Sequence, residues 1–188
     1  MKIGCVLLAA GAGKRFGGGK LLHEVDGEPM IARALRLYSA LPFDARICVT
    51  RAEAGEIRQL AYQYAFPVAI NPEPERGVGT SVTIATEAIL AKEPRLDGIL
   101  FAVADQPYLT SGSIQNLINE FEAHPNCIVS LAFGQRRGNP VIFPADLFTE
   151  LAALKEDIGG GAIIRQYPDR LRLVEAGEAR ELEDIDTK

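Results

Sequence analysis

Short apolar runs alternate with segments of helical periodicity along nearly the whole chain. The apolar runs predict strands at residues 3–9, 46–50, 67–70, 98–103, 127–132, 140–143 and 171–174, with a last extended piece at 182–187. The periodic segments predict helices at residues 29–41, 53–64, 80–92, 111–123, 145–155 and 161–167. Such alternation, with strands apolar on both faces, predicts an α/β fold built on a mostly parallel sheet.

Size and charge narrow the class of protein. The 188 residues fit a single domain spanning 1–188, and 47% hydrophobic with 24% charged residues is typical of a globular protein. The net charge of -5 argues against a nucleic-acid partner. Because no apolar stretch reaches the ~18–20 residues of a membrane helix, we predict no membrane partner and a cytoplasmic protein. The three cysteines form no C-x-x-C pair that would indicate zinc or redox chemistry.

The loop after the first predicted strand is rich in glycine and in cations. Its sequence from residue 9 to residue 20 is A-A-G-A-G-K-R-F-G-G-G-K. Glycine permits positive φ and lets backbone N–H groups approach an anion closely. Lys14, Arg15 and Lys20 add positive charge. The combination predicts a site for a polyphosphate.

Two common phosphate-binding motifs do not fit this loop. The loop of classical NTPases, G-x-x-x-x-G-K-[ST], requires a hydroxyl after its lysine, but Leu21 follows Lys20. A dinucleotide-binding loop, G-x-G-x-x-G, has glycine where this chain has Phe16, and it leads directly into a helix. Here the next predicted helix begins only at Pro29.

The segment from Leu8 to Leu21 resembles a longer motif, L-A-A-G-x-[GS]-x-R-x-G-x-x-K-L. That motif is typical of nucleotidyltransferases related to molybdenum-cofactor guanylyl- and cytidylyltransferases. The resemblance implies a three-layer, Rossmann-like sheet with helices on both faces, of the nucleotide-diphospho-sugar transferase type. It also implies that Arg15 and Lys20 are catalytic and neutralise the triphosphate of an NTP. The loop residues implied to bind that NTP are Leu8, Ala9, Ala10, Gly11 and Gly13.

A second segment of chemical interest is A-D-Q-P at residues 104–107, directly after a predicted strand. A carboxylate at a strand end beside a polyphosphate loop is a natural Mg²⁺ ligand, although Asp105 could instead cap a turn. The segment is similar to one in the cytidylyltransferase branch, which implies that Asp105 is both a metal ligand and a catalytic residue. The C-terminal E-D-I-D-T also resembles that branch. We favour Asp186 over Asp184 as a second metal ligand; the alternative is a solvated acidic tail.

Two further segments resemble substrate-binding loops of the same branch. The segment R-G-V-G-T-S-V, from residue 76, implies base or ribose contacts from Gly77, Gly79 and Ser81, with plain helix capping as the alternative. The segment R-G-N-P implies an acceptor side formed by Arg137, Gly138 and Asn139, with an ordinary surface turn as the alternative. Residues 156–162 depart twice from the corresponding G-D-x-G-[AG]-R loop: Glu156 replaces glycine, and Ala162 leaves no arginine nearby.

The expected reaction is transfer of CMP from CTP to a phosphate acceptor, with Mg²⁺ as cofactor and pyrophosphate as product. The resemblance implies molybdopterin cofactor as the acceptor, and a molybdoenzyme or its maturation factor as the protein partner. Three alternatives stay open: a guanylyltransferase, a transferase acting on sugar or alcohol phosphates, and a non-catalytic nucleotide-binding module that delivers cofactor.

Overall fold

The computed structural model describes residues 1–11, 13 and 18–185. The strands are β1 Ile3–Leu8, β2 Glu24–Val25, β3 Glu28–Pro29, β4 Ala45–Arg51, β5 Val68–Asn71, β6 Gly98–Val103, β7 Ile128–Phe133, β8 Arg136–Pro144 and β9 Leu171–Glu175. The α-helices are α1 Met30–Ser39, α2 Gly55–Gln63, α3 Val78–Lys92, α4 Ser111–Ala123, α5 Phe148–Leu151 and α6 Gly161–Gln166. Among the described residues, no helix combines the length and the apolar character needed to cross a bilayer.

Seven strands form one sheet in the order β5-β4-β1-β6-β8-β7-β9. Strand β1 is parallel to both β4 and β6, and β4 is parallel to β5. Strand β8 runs antiparallel to its neighbours β6 and β7. The prediction of a mostly parallel sheet is therefore confirmed. Because β1 and β6 are parallel neighbours, the loops that follow them emerge side by side at the same sheet edge.

The two faces of the sheet bury separate hydrophobic clusters, which confirms the three-layer prediction. Alternate residues of β1 point to opposite faces, so Cys5 and Leu7 join one cluster and Val6 joins the other. The first cluster packs against α1, α2 and α4, and the second against α3, α5 and α6. Each fully buried Leu or Ile contributes roughly 1.5–3 kcal/mol relative to exposure, so both helix layers are firmly attached.

One predicted helix is much shorter than expected, and one hairpin was not predicted. The helix predicted at 145–155 is a 3-10 turn followed by a single α-turn that ends at Leu151. The hydroxyl of Thr83 on α3 donates to the carbonyls of Leu151 and Leu154, at 3.3 and 2.8 Å, so another helix satisfies these carbonyls. The sequence pattern also missed the β2–β3 hairpin, whose turn at Asp26 and Gly27 has positive φ.

The predicted extended piece at the C-terminus is not a strand within the residues described. Residues 179–182 form a 3-10 turn, and residues 183–185 follow without regular structure. The N–H of Ile185 donates to the carbonyl of Asp105 at 3.3 Å, so this segment lies beside the loop after β6 instead of extending the sheet. Asp184 lies in this irregular segment, and residues 186–188, which include Asp186, lie outside the described residues.

Glu181 attaches the C-terminal turn to the start of α4. Its side chain is 2% exposed and accepts hydrogen bonds from the N–H and hydroxyl of Thr110, at 3.0 and 2.9 Å, and from the N–H of Glu178 at 3.2 Å. Burial alone would raise the pKa of Glu181, but the hydrogen bonds from Ser113, Thr110 and Glu178 outweigh burial and lower it. The ionised carboxylate therefore stabilises the fold.

Replacing Glu181 by Gln is expected to lower the free energy of unfolding at pH 7 by about 1–3 kcal/mol, because a charge-assisted acceptor is lost. Because the pKa of Glu181 is lower in the folded protein than its ordinary value of 4.5, its carboxylate contributes its full stabilisation above pH 4.5. This contribution to the free energy of unfolding disappears as the pH falls through the lower pKa of the folded state. Urea unfolding of both proteins from pH 7 to pH 3 should show the difference shrinking below about pH 4.5. The exposed Glu122→Gln on α4 is the control, and a difference independent of pH would contradict the account.

Candidate active site

The loops after β1 and β6 meet through a charged pair. The Nζ of Lys20 lies 2.6 Å from Oδ2 of Asp105, and the two side chains are 11% and 25% exposed. These residues are 85 positions apart and are brought together because β1 and β6 pair directly. A lysine and an aspartate at contact distance, largely removed from solvent, interact more strongly than an exposed surface pair. Two predicted catalytic residues therefore share one location.

The glycine-rich loop is anchored at both of its described ends. The guanidinium of Arg51 on β4 donates to the carbonyl of Ala10 from Nη2 at 3.2 Å, which fixes where the chain leaves β1. Gly13 has φ +56°, and a Cβ placed there would lie 2.9 Å from the Cβ of Lys20. Glycine at position 13 thus lets the loop close against the lysine. Arg15, predicted to be catalytic, lies outside the described residues.

Cavity I, with a volume of about 340 Å³, opens between this loop and the start of α3. Its walls include most of the residues predicted to bind the nucleotide or its metal. Those that line the cavity are Leu8, Ala9, Ala10, Gly11, Gly13, Lys20, Gly77, Ser81 and Asp105. The backbone amides of a helix N-terminus and the Lys20 ammonium together favour an anionic ligand. The cavity can therefore accommodate a phosphate chain at the loop, beside a second group at α3.

Gly77 and Gly79 pack against the segment 155–158. Gly77 has φ +114°, and a Cβ there would lie 2.2 Å from Oδ1 of Asp157. The N–H of Gly79 donates to the carbonyl of Glu156 at 2.8 Å, and a Cβ on Gly79 would lie 2.7 Å from the carbonyl oxygen of Ile158. Gly77 also lines cavity I, whereas the contacts of Gly79 face the 155–158 segment. Both glycines keep the start of α3 close to that segment.

Cavity II, of about 320 Å³, adjoins cavity I through the shared wall residues Leu8, Val78 and Val103. The predicted acceptor residues Arg137, Gly138 and Asn139 all line it. The rest of its wall is mainly apolar and comes from β6, β8 and the helices of the second cluster. An anionic group placed near Arg137 would have an apolar cavity behind it and cavity I beside it.

Of the two residues predicted to bind a metal, the structure describes one. Asp105 supplies one carboxylate, and the bond from Ile185 to its carbonyl brings the C-terminal segment alongside. Asp186, the residue favoured as second ligand, lies outside the described residues. Over residues 1–11, 13 and 18–185, no group of three or more His, Cys, Asp or Glu side chains is arranged to hold a metal.

Several residues at the site carried no sequence signal. Val78 and Val103 form the wall between the two cavities, yet in sequence they are ordinary apolar residues of a helix and a strand. Asn71 holds the hydroxyls of Thr80 and Ser81 at 2.9 Å, although its sequence context indicates only a loop. Such contacts depend on how β5 docks beside α3, which residue spacing along the chain does not encode.

Fold and site together define a nucleotide-binding protein of the nucleotidyltransferase class. A glycine-rich loop follows β1, and Asp105 follows the adjacent parallel strand β6. The chain belongs to the MobA-like NTP transferase domain family, which matches residues 5–171.

Two curated relatives match almost the whole chain. Nicotine blue oxidoreductase of Paenarthrobacter nicotinovorans is 29% identical over 97% of this chain and 91% of that protein. The purine catabolism protein PucB of Bacillus subtilis is 26% identical over 97% of this chain and 90% of that protein. Neither of these names refers to nucleotidyl transfer, so family membership leaves the substrates of this chain open.

A solved structure confirms the fold. Rv0371c from Mycobacterium tuberculosis superimposes with a TM-score of 0.83, at 23% identity, covering 100% of this chain and 94% of that protein. A complex of Rv0371c with manganese has a TM-score of 0.71 at 21% identity and covers 94% of this chain and 90% of that one. At this level of identity the likeness establishes the architecture alone.

Proposed function

We propose that this protein is a Mg²⁺-dependent nucleotidyltransferase that transfers CMP from CTP to a phosphate acceptor, with molybdopterin cofactor as that acceptor. The observation that carries the proposal is the contact of Lys20 with Asp105 at 2.6 Å, in the wall of a cavity formed by the glycine-rich loop. One cation and one carboxylate are held where a triphosphate and its metal would need them.

The chemistry required of the protein is alignment and charge neutralisation. An acceptor phosphate is already an anion, so its oxygen can attack the α-phosphorus without a strong general base. Lys20, with Arg15 from the part of the loop not described, neutralises the triphosphate as pyrophosphate leaves. The shared wall at Leu8 and Val103 places cavity II next to the loop, which suits in-line attack by an acceptor held at Arg137.

The residues present suit Mg²⁺. Magnesium is usually held by one or two carboxylates plus substrate phosphates and water, and Asp105 at the end of β6 is such a carboxylate. Asp186 is proposed as the second. The bound ion supplies charge neutralisation at the transferring phosphate. With nucleotide bound, Asp105 would hold the ion and Lys20 would contact the phosphates.

The two cavities support the positions proposed for the nucleotide base and the acceptor. Gly77 and Ser81 line the wall of cavity I at α3, where a flat base can lie against backbone. Gly79 supports this wall from the 155–158 side through its bond to Glu156. Arg137, Gly138 and Asn139 in cavity II are proposed to hold the anionic acceptor.

The proposal is tested by pyrophosphate release. Purified protein with Mg²⁺ is incubated with CTP, GTP, ATP or UTP, with and without molybdopterin. We expect release with CTP that depends on both molybdopterin and Mg²⁺. A strong preference for GTP would indicate a guanylyltransferase, release with a sugar or alcohol phosphate would indicate another acceptor, and tight CTP binding without turnover would indicate a delivery module.

An electron-transfer reaction is the second candidate, because a relative covering 97% of the chain is named an oxidoreductase. The buried thiols do not favour it: burial raises the pKa of Cys5 far above its ordinary value and that of Cys48 to about 12, so both remain protonated. The sequence also has no G-x-G-x-x-G loop leading into a helix. NADPH oxidation with a quinoid dye, measured beside pyrophosphate release, separates the two candidates.

A further inference from the structure

A buried amide at the end of β5 organises the first turn of α3. Asn71 is 1% exposed, and its Oδ1 accepts the backbone N–H of Glu73 at 3.0 Å. Its Nδ2 donates to Thr80 Oγ1 and to Ser81 Oγ, each at 2.9 Å. The orientation of the amide is determined chemically, because a backbone N–H can only donate and so must face the amide oxygen.

This arrangement fixes the directions of two hydroxyl protons. Both hydrogens of the Asn71 amide are used, so the hydroxyls of Thr80 and Ser81 are acceptors in these bonds. The Thr80 proton is donated to the carbonyl of Gly77 at 2.8 Å. Ser81 is 6% exposed and lines cavity I, and no acceptor for its proton is found among the described residues. Ser81 is therefore left to donate to a ligand in cavity I.

We propose that Asn71 is a specificity-determining positioning residue: by holding Ser81 as a hydrogen-bond donor, it selects a nucleotide base with acceptors on its pairing edge. Cytosine presents O2 and an unprotonated N3 there, whereas guanine presents two donors, N1–H and N2–H₂, and a single acceptor. This inference rests on the proposed function, and it gives a physical reason for CTP over GTP. A site built to pair with one polar pattern discriminates against another, because mismatched buried groups lose hydrogen bonds.

The test reverses the polarity of Ser81 while keeping shape. In Asn71→Asp the introduced carboxylate can only accept, so the Ser81 proton turns toward it and lone pairs face cavity I. We expect KM for CTP to rise by about 10–100-fold and the ratio of kcat/KM for CTP over GTP to fall by a similar factor, with a much smaller change in kcat. The melting temperature without nucleotide is recorded for each variant.

Two further variants separate specificity from structure. Ser81→Ala removes the donor, so adding Asn71→Asp to it should produce no additional change in base preference. Thr80→Val breaks the other Asn71 contact and should lower the melting temperature without altering preference, since the Thr80 proton is donated to Gly77. If Asn71→Asp fails to fold, the comparison of Ser81→Ala with Thr80→Val still tests the inference: Ser81→Ala must lower the CTP preference and Thr80→Val must not.

The inference would be overturned if Asn71→Asp weakened the binding of all four nucleotides equally. It would also be overturned if adding Asn71→Asp to Ser81→Ala changed the base preference further. Failure of the proposed function is distinguishable, because it appears as absence of pyrophosphate with the unmodified protein. Base preference would then still be measured from nucleotide-dependent thermal stabilisation, which reports binding to the native state alone.

Discussion

Asp105→Asn is expected to lower kcat for pyrophosphate release from CTP by about 10³-fold, because it removes the charge proposed to bind Mg²⁺ and the carboxylate that contacts Lys20. Asparagine keeps the size of the side chain and one oxygen, so the strand end and cavity I should remain intact. The measurement is single-turnover pyrophosphate release at saturating CTP, Mg²⁺ and acceptor, together with the thermal unfolding curve of the variant.

The matched control for this variant is Asp169→Asn, an exposed carboxylate in the 3-10 turn after α6. It changes the net charge by the same amount, and its rate should equal that of the unmodified protein. If Asp105→Asn turned over at the rate of the unmodified protein, Asp105 would have no role in the reaction. Repeating the assay at subsaturating Mg²⁺ tests the ligand role, because weaker Mg²⁺ binding makes the loss larger there than at saturation.

Gly77→Ala is expected to have the second-largest effect, by separating the start of α3 from the segment 155–158. The added methyl group would lie 2.2 Å from Asp157 Oδ1 and 2.5 Å from the Asp157 nitrogen, at a backbone φ of +114°. Backbone strain and overpacking each cost about 1–3 kcal/mol. We expect the free energy of unfolding to fall by about 2–5 kcal/mol. We also expect KM for CTP to rise at least tenfold, because Gly77 lines cavity I.

Gly112→Ala serves as the control for glycine replacement. Gly112 lies in the first turn of α4, has an ordinary φ, and its added methyl group would be 3.9 Å from the nearest atom, Thr110 Oγ1. Alanine there is expected to be neutral or to stabilise by up to about 1 kcal/mol. Urea unfolding and CTP titration of both variants provide the comparison. A Gly77→Ala protein as stable as Gly112→Ala would show that the 155–158 segment adapts freely.

The sequence predicted the central layers well, because local patterns determine them. Strand β6 and helix α4 begin and end at the predicted residues, 98–103 and 111–123. Strand β6 is a continuous apolar segment and α4 a periodic one, and both have clear residues at their boundaries. Thr110, for example, is the N-cap of α4, and its hydroxyl accepts the N–H of Ser113. The three-layer sheet follows from the alternation of such segments.

Predictions were least accurate where partners distant in sequence decide the outcome. The predicted helix 145–155 is shortened where Thr83 of α3 binds the carbonyls of Leu151 and Leu154. The segment predicted as extended from residue 182 does not form a strand. Hydrogen bonds to Glu181 fix the turn at residues 179–182, and the N–H of Ile185 donates to the carbonyl of Asp105. Neither contact is encoded in residue spacing.

Within the candidate site, the parallel pairing of β1 with β6 explains why Lys20 and Asp105 could be related from sequence. Motif order along the chain places Lys20 in the loop after β1 and Asp105 directly after β6, and the sheet brings these two loops together. Asn71 could not be anticipated in this way, since its role depends on the approach of β5 to α3. The catalytic, metal-binding and substrate-binding roles of the site residues, Arg15 and Asp186 included, stay predictions.

The central claim, transfer of a nucleotidyl group through attack on the α-phosphorus, is tested most directly by following label from CTP. Protein, Mg²⁺ and molybdopterin are incubated with CTP labelled at either the α- or the γ-phosphate, and products are separated. The account predicts that α-label enters the acceptor in equal amount to the γ-label recovered as pyrophosphate. Recovery of γ-label in the acceptor, or as orthophosphate, would contradict it.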